Sequence, residues 1–342
     1  MKNLPLGSLV ALSLMLAACG GSDPVDPPLS VEIAKLDAAL KCTPFEHPER
    51  NPVLLVHGTI TTGFEQWELT YIPLLVARGF DVCAVTYPDR GSIDQQISAE
   101  YVAHALRSIA AQTGRQVDMI GHSQGASMPR WALKFWPTAR EVVDDFVLLA
   151  GPNHGTSVSL PFAIAAEALD VLGLAEFPVG LLPEAFYQFA PGSQFTAAVN
   201  RGDETPGDID YTSLYTVFDE LVQPVFPVPT AALDFGQDNP RVTNLLLQDL
   251  CPGRFVDHFT IGLTDRLTFE LALDAIDNPG PANIERAGGA AELCGLLPII
   301  PDQIIAPQAA LNLISVLRQE LENGLPAPNL ANAEPPLRDY AR

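Results

Sequence analysis

Apolar residues in this chain fall into two kinds of segment, short unbroken runs and longer stretches where they recur every three or four positions. Asn51–Val56 (NPVLLV), Phe80–Thr86 (FDVCAVT), the run from Val117 to Gly121 and Val142–Ala150 (VVDDFVLLA) are of the first kind. Their length and β-branched content suit strands buried on both faces of a parallel sheet. Leu69–Arg78, Ile93–Ala111 and Gly125–Phe135 have helical spacing. Gly79 and Thr113-Gly114 stop the first two, and Pro129 falls in the first turns of the third, where a missing N–H costs least. Strand and helix alternate, which predicts an α/β fold with a mostly parallel sheet and helices on both faces. Val31–Leu40 adds a short helix, Tyr211–Phe218 (YTSLYTVF) a further strand, and Pro307–Leu321 a late amphipathic helix. Leu160–Phe195 is apolar but broken by proline and glycine. It reads as a small helical lid or cap, inserted at about 157–208; the plainer alternative is that its apolar residues are core. No repeat or second boundary appears, so residues 35–342 are expected to form one domain.

Composition narrows the class. Of 342 residues, 47% are hydrophobic and 18% charged, enough to build a sizeable core. The net charge of −22 and the absence of a basic patch exclude nucleic acid as an expected partner. Leu4–Ala18 is apolar, follows Lys2, and is too short to span a bilayer. Residues 1–18 therefore read as an export signal. Leu16-Ala17-Ala18-Cys19 resembles the bacterial lipoprotein box, in which the cysteine is lipidated; ordinary cleavage after Ala18 is the alternative. Residues 19–34, which include GGSDPVDPPLS, then form a flexible tether, and the protein is expected at the outer membrane or outside the cell. The five cysteines support this reading, because exported proteins tend to pair theirs. Lipidation of Cys19 leaves Cys42, Cys83, Cys251 and Cys294, whose two disulfides have three possible pairings.

Chemistry concentrates at Gly121-His122-Ser123-Gln124-Gly125, where a strand meets a helix. In a G-x-S-x-G elbow the glycines leave room for a strained turn that holds the serine hydroxyl clear of the sheet. A serine needs a neutral imidazole to take its proton and a carboxylate to fix that imidazole. In α/β-hydrolases the order along the chain is serine, acid, histidine. Of six histidines only His154 and His258 follow Ser123, and His154 leaves no further strand to carry the acid. His258 is therefore the base. Asp219 directly follows the strand-like LYTVF and is the acid. Glu220 should point away as a supporting group, and Asp257 reads as structural. The first strand opens into His57-Gly58-Thr59-Ile60-Thr61-Thr62-Gly63, a small-sided loop suited to half an oxyanion hole. The backbone N–H groups of Thr59 and Gln124 would hold the oxyanion, with the Thr59 hydroxyl as a further donor. His57 reads as a structural loop residue. No metal or organic cofactor is needed, and the cysteine spacings do not resemble a zinc site.

At this point the chain resembles the α/β-hydrolase lipases of the Candida antarctica lipase B type, from about Cys42 to its end. The residues that carry the likeness are Gly58–Gly63, the SQG of the elbow, Asp219-Glu220-Leu221-Val222-Gln223-Pro224, Cys251-Pro252-Gly253 ahead of Asp257-His258, and the tail Glu334–Arg342. The resemblance implies an α/β-hydrolase fold and ester hydrolysis by Ser123, Asp219 and His258, with Thr59 and Gln124 as the oxyanion hole. It also implies the disulfides Cys42–Cys83 and Cys251–Cys294. Three departures stand out. His122 occupies the place of a tryptophan that floors the type member's alcohol pocket. The turn at Asn153-His154 and the stretch Leu160–Asp208 match poorly, and a neutral Asn153, taken as a pocket residue, stands near where the type member has an acidic residue. The type member's third disulfide has no counterpart here.

The expected function is a serine carboxylester hydrolase, lipase or esterase, acting as a monomer on an ester or lipid substrate, with membrane contact through lipidated Cys19. Polyester hydrolysis or acyl transfer would use the same acyl-enzyme. A non-catalytic surface binding protein on a hydrolase fold is the rival from another class, disfavoured because such proteins usually lose a triad member.

Overall fold

The computed structural model describes residues 25–157, 182–299 and 329–342. The export signal, Cys19, residues 158–181 of the expected lid and the late helix Pro307–Leu321 lie outside these residues. Seven strands form the central sheet: β1 (Leu40–Cys42), β2 (Val53–Val56), β3 (Val82–Val85), β4 (Val117–His122), β5 (Val143–Leu149), and, after a two-residue β6 (Leu182–Pro183), β7 (Asp210–Tyr215) and β8 (Val242–Leu246). Their order is β1-β3-β2-β4-β5-β7-β8. Every pair is parallel except β1 with β3. A separate β9 (Leu330–Ala331) pairs antiparallel with β6.

Side chains alternate across the strands, so an unbroken apolar run feeds two cores at once. Leu54, Val56, Met119, Phe146 and Leu148 pack on one face with the helices Gln95–Thr113 and Pro129–Phe135. Val53, Leu55, Ile120, Val147 and Leu149 pack on the other with the helices Tyr71–Ala77 and Arg266–Asp277. Each such side chain, fully buried, contributes roughly 1.5–3 kcal/mol. The structure thus has the mostly parallel sheet with flanking helices that the periodicity predicts.

Four details depart from expectation. β7 ends at Tyr215, so Asp219 sits in the following loop rather than directly on the strand end. There Thr216 donates its hydroxyl to the Val256 carbonyl at 2.7 Å, and Phe218 bridges to Asp257. The helix predicted over Gly125–Phe135 is two short helices, Gln124–Ser127 and Pro129–Phe135, because Pro129 lacks the N–H that would continue the first. β8 is an edge strand of half-buried residues, and its sequence lacks the continuous apolar run that marks the others. The helix Arg266–Asp277 carried no expectation, although its signals are present: Asp265 accepts from the Thr268 N–H, and apolar residues line one face.

Residues 26–31, expected to belong to a flexible tether over 19–34, instead lie against the body of the protein. Glu100 accepts from the Ser30 N–H and hydroxyl and from the Val31 N–H, and Trp136 donates to the Pro27 carbonyl. Among the described residues no helix is long and apolar enough to cross a membrane. The cysteines are joined as Cys42–Cys83, a cross-strand pair of β1 and β3, and Cys251–Cys294. Such bonds persist in oxidising compartments, which fits an extracellular protein.

Candidate active site

β4 ends at His122, and the chain turns sharply at Ser123, whose φ of 56° lies in the left-handed region that non-glycine residues avoid. The flanking glycines are required by space. A Cβ at Gly121 would lie 1.7 Å from the Gly125 carbonyl oxygen, and one at Gly125 would lie 2.2 Å from that of Val56. The Ser123 N–H donates to the Leu149 carbonyl at 2.8 Å, which ties the turn to β5.

His258 reaches this turn from the first residue of the helix His258–Leu263. Asp257 caps that helix with Thr260 in a reciprocal box, the structural part expected of it. His258 Nε2 lies 3.0 Å from the Ser123 hydroxyl, and its Nδ1 lies 3.0 Å from both oxygens of Asp219. Asp219 and His258 are both buried. The Asp219 carboxylate also accepts from the N–H groups of Leu221 and Val222, at 2.9 and 2.7 Å. Glu220, expected to point away, also reaches His258 and accepts from its backbone N–H at 3.0 Å.

His122 completes the grip on His258. Its Nε2–H donates to the His258 carbonyl at 2.7 Å, which fixes the ring's tautomer, since a carbonyl can only accept. Burial, and then the neighbouring His258, hold His122 down to about 3. It is a neutral ring, and its Nδ1 is buried with no partner among the described residues. His57 is also buried and neutral, lowered to about 3 mainly by burial; it stacks on Tyr87 at 3.8 Å and serves the loop, as read from the sequence.

The Thr59 loop is held from three sides. The Gly58 N–H donates to Gln66 Oε1 at 2.8 Å, and the Ile60 N–H to the Arg90 carbonyl at 2.7 Å. Arg90 in turn forms a two-pronged ion pair with Glu65, which belongs to the capping box of the helix Gly63–Trp67. The Gln124 side chain is a buried strut: it accepts from the Thr59 hydroxyl at 3.2 Å and donates to the Gly91 carbonyl at 2.8 Å. The Thr59 hydroxyl is thus engaged with Gln124 in the resting site. Among the described residues no acceptor takes the backbone N–H of Thr59 or Gln124. Sequence alone gave no sign of Gln66, Glu65 or Arg90, because their roles depend on contacts made only after the loop closes.

These groups sit in a cleft of about 460 Å³, lined by Ser123, His258 and His122 and by apolar side chains such as Ile60, Phe189, Leu221, Val222, Phe259 and Leu263. Ile60 and Phe259 are more than half exposed, at 58% and 56%, and leave an apolar rim at the mouth. Asn153, expected in the pocket, does not line the cleft; its neighbour Pro152 does. The Asn153 amide donates to the Ala231 carbonyl at 2.6 Å, and its own carbonyl accepts from Arg130 and Asn200. It therefore braces loops behind the site.

Comparison with known proteins agrees with this geometry. The model of the family described as lipase (class 2) matches residues 50–237. Lipase B of Pseudozyma antarctica is 27% identical over 355 aligned positions, covering 99% of this chain and 96% of that one. A triacylglycerol lipase of Pseudomonas fragi is 28% identical over 114 residues, 32% of this chain and 37% of its own length. The crystal structure of Aspergillus fumigatus lipase B superposes with a TM-score of 0.75 at 28% identity, covering 94% of this chain and 75% of that one.

Proposed function

The chain belongs to the class 2 lipase family, and from that premise we propose that it cleaves esters through an acyl-enzyme on Ser123. It is a serine carboxylester hydrolase of the lipase or esterase kind, with an α/β-hydrolase fold and an ester or lipid substrate. The observation that carries the assignment of residues is the unbroken path of 3.0 Å links from Asp219 through His258 to Ser123, on the wall of an apolar cleft.

His258 takes the Ser123 proton as the hydroxyl oxygen attacks the ester carbonyl carbon. Asp219 steadies the imidazolium that results. The tetrahedral oxyanion is held by the backbone N–H groups of Thr59 and Gln124, and losing one such donor costs about 2.7–4 kcal/mol in the transition state. His258 then passes its proton to the leaving alcohol. Water, deprotonated by the same ring, attacks the acyl-enzyme, releases the acid and restores the serine.

An apolar cleft with an exposed apolar rim supports long-chain acyl esters as substrates. A fluorophosphonate should label the wild-type protein and leave Ser123→Ala unlabelled, and p-nitrophenyl esters from acetate to palmitate should be hydrolysed beyond butyrate. Labelling that survives in Ser123→Ala would move the nucleophile elsewhere. Activity confined to the shortest esters would make the protein an esterase and not a lipase. The anchor belongs to the same reading: lipidated Cys19 holds the enzyme at a membrane, and the residues between Cys19 and Asp26 act as its tether.

A further inference from the structure

The opposite end of β4 carries carboxylates that ester hydrolysis does not use. Asp118 is the second residue of β4, roughly 16 Å along the strand from Ser123 at about 3.3 Å per residue. Asp144 and Asp145 begin β5 just after Val143. Val117 pairs with Val143, but Met119 pairs with Phe146. This bulge sets two residues of β5 opposite one of β4, and so brings three aspartates together. Each of the three places a carboxylate oxygen within 4.8 Å of the other two. Asp118 and Asp145 are buried, at 0% and 6% exposure, and Asp144 is half-buried and opens the group to solvent.

Two oxygens in this group lack what a buried carboxylate needs. Asp118 Oδ2 and Asp145 Oδ1 are buried with no hydrogen-bond partner among the described residues. The donors nearby are few. Asn51 Nδ2 donates to Asp118 Oδ1 at 3.1 Å and to Asp144 Oδ2 at 3.0 Å, and the Asp145 N–H faces the Asp118 carboxyl group. Local cations are committed elsewhere. Arg286 approaches Asp145, but its Nε and Nη2 hydrogens go to Asp274, each at 2.8 Å. Arg50 is paired with Asp277. Across the sheet, Asp145 meets another carboxylate, its β7 partner Asp210.

Buried carboxylates are paired, protonated or bound to a metal, because an unpaired one costs far more than a hydrogen bond returns. We propose that Asp118, Asp144 and Asp145 form a binding site for a divalent, oxygen-seeking cation, Ca²⁺ first among them, which ties β4 to β5 at the edge of the sheet remote from Ser123. The donors are all oxygen, the set that suits Ca²⁺ and Mg²⁺ and not zinc or copper. Ca²⁺–oxygen distances of about 2.3–2.6 Å allow two ligands of one ion to stand up to about 5 Å apart, and the three carboxylates fall within that limit. Mg²⁺ demands near-octahedral geometry and dehydrates reluctantly, so three carboxylates on two strands favour the more adaptable Ca²⁺. A chain of net charge −22 also raises the cation concentration around it. The site does not depend on the hydrolase reading, since it touches none of the proposed catalytic groups.

The experiment uses the mature chain stripped with EDTA. Its thermal unfolding is followed in EDTA, in Ca²⁺ and in Mg²⁺ at equal ionic strength near neutral pH, and Ca²⁺ binding is measured by calorimetric titration. At about a hundredfold excess over its Kd, Ca²⁺ should raise Tm by roughly 5 °C. Mg²⁺ should raise it less, and one Ca²⁺ should bind per chain. The pair Asp118→Asn and Asp145→Asn should remove both responses. If that variant does not fold, Asp144→Asn, at the half-buried position, is read for the same loss, and the wild-type titration stands independently of either. A Tm indifferent to cations with no heat of binding overturns the proposal, and so does a Tm that ignores Ca²⁺ but falls as pH rises, the mark of a shared proton. A Ca²⁺ response that survives in the variants places the ion elsewhere and overturns it as well.

Discussion

His258 is held at three points, and only one of them belongs to the proposed proton path. Asp219 takes the ring, Glu220 accepts from its backbone N–H, and His122 donates to its backbone carbonyl. The elbow residue beside the proposed nucleophile thus also positions the proposed base. Protonating its free nitrogen would keep that bond but bury a charge beside His258, and burial holds the ring neutral. The ring's folded pKa is held near 3, below its ordinary value of 6.5. Between those values the unfolded chain binds a proton that the native protein does not. Stability from this residue is therefore complete above about pH 6.5 and is lost as pH falls toward about 3. His122→Gln should flatten the dependence of unfolding free energy on pH in that window by up to about 1.4 kcal/mol per pH unit. Urea unfolding of both proteins across the window reads this out, and equal slopes would show that His122 is not held neutral. Ser123, the chain order of the histidines and Asp219 were legible in the sequence because each is a residue type at a required place along the chain. Asn153 was not, because nothing within a few residues of it indicates that its amide turns toward Ala231 and away from the cleft.

Elements were legible where their signals were local. β2 and β5 announce themselves as apolar runs because each strand feeds both cores. The elbow announces itself because Gly121 and Gly125 allow backbone contacts that any side chain would block. β8 was hidden because an edge strand covered on one side needs no continuous run. The Cys251–Cys294 bridge joins the stretch ahead of His258 to the helix Ala290–Leu293, across a sequence separation of 43. On the chain-entropy view a loop of that size contributes about 4 kcal/mol. Replacing both cysteines by serine should lower Tm by roughly 6 °C. It should shorten the half-life of activity on heating while leaving kcat at low temperature near the wild-type value. An unchanged Tm would mean that the strands and helices hold this region without the bridge.

For the molecule as a whole, charge and the proposed anchor bear on how the enzyme meets its substrate. A net charge of −22 repels an anionic surface over about one Debye length, roughly 10 Å at 0.1 M salt. Ester substrate carried in anionic vesicles should be hydrolysed more slowly than the same ester in zwitterionic vesicles, and added salt should narrow the gap. Rates equal on both surfaces at low salt would show that the face meeting the lipid does not feel the overall charge. The proposed anchoring through Cys19 would offset that repulsion by tethering the chain. Cys19→Ser should move the protein from the membrane fraction to the soluble one, and a variant that still sediments with membranes would end the lipoprotein reading.

By itself the sequence determined the layered α/β architecture, the elbow and the order of the residues proposed to react. These depend on periodicity, on turn chemistry and on the direction of the chain, all written within about ten residues or in simple succession. The tertiary structure alone decided which residues stand beside the reacting atoms without taking part. His122 meets the His258 carbonyl across 136 positions, and Gln66 holds the Gly58 N–H. It also decided that a bulge gathers Asp118, Asp144 and Asp145 into one group at the far edge of the sheet. Side-chain direction and partner choice follow from how distant segments pack, and no local pattern records them.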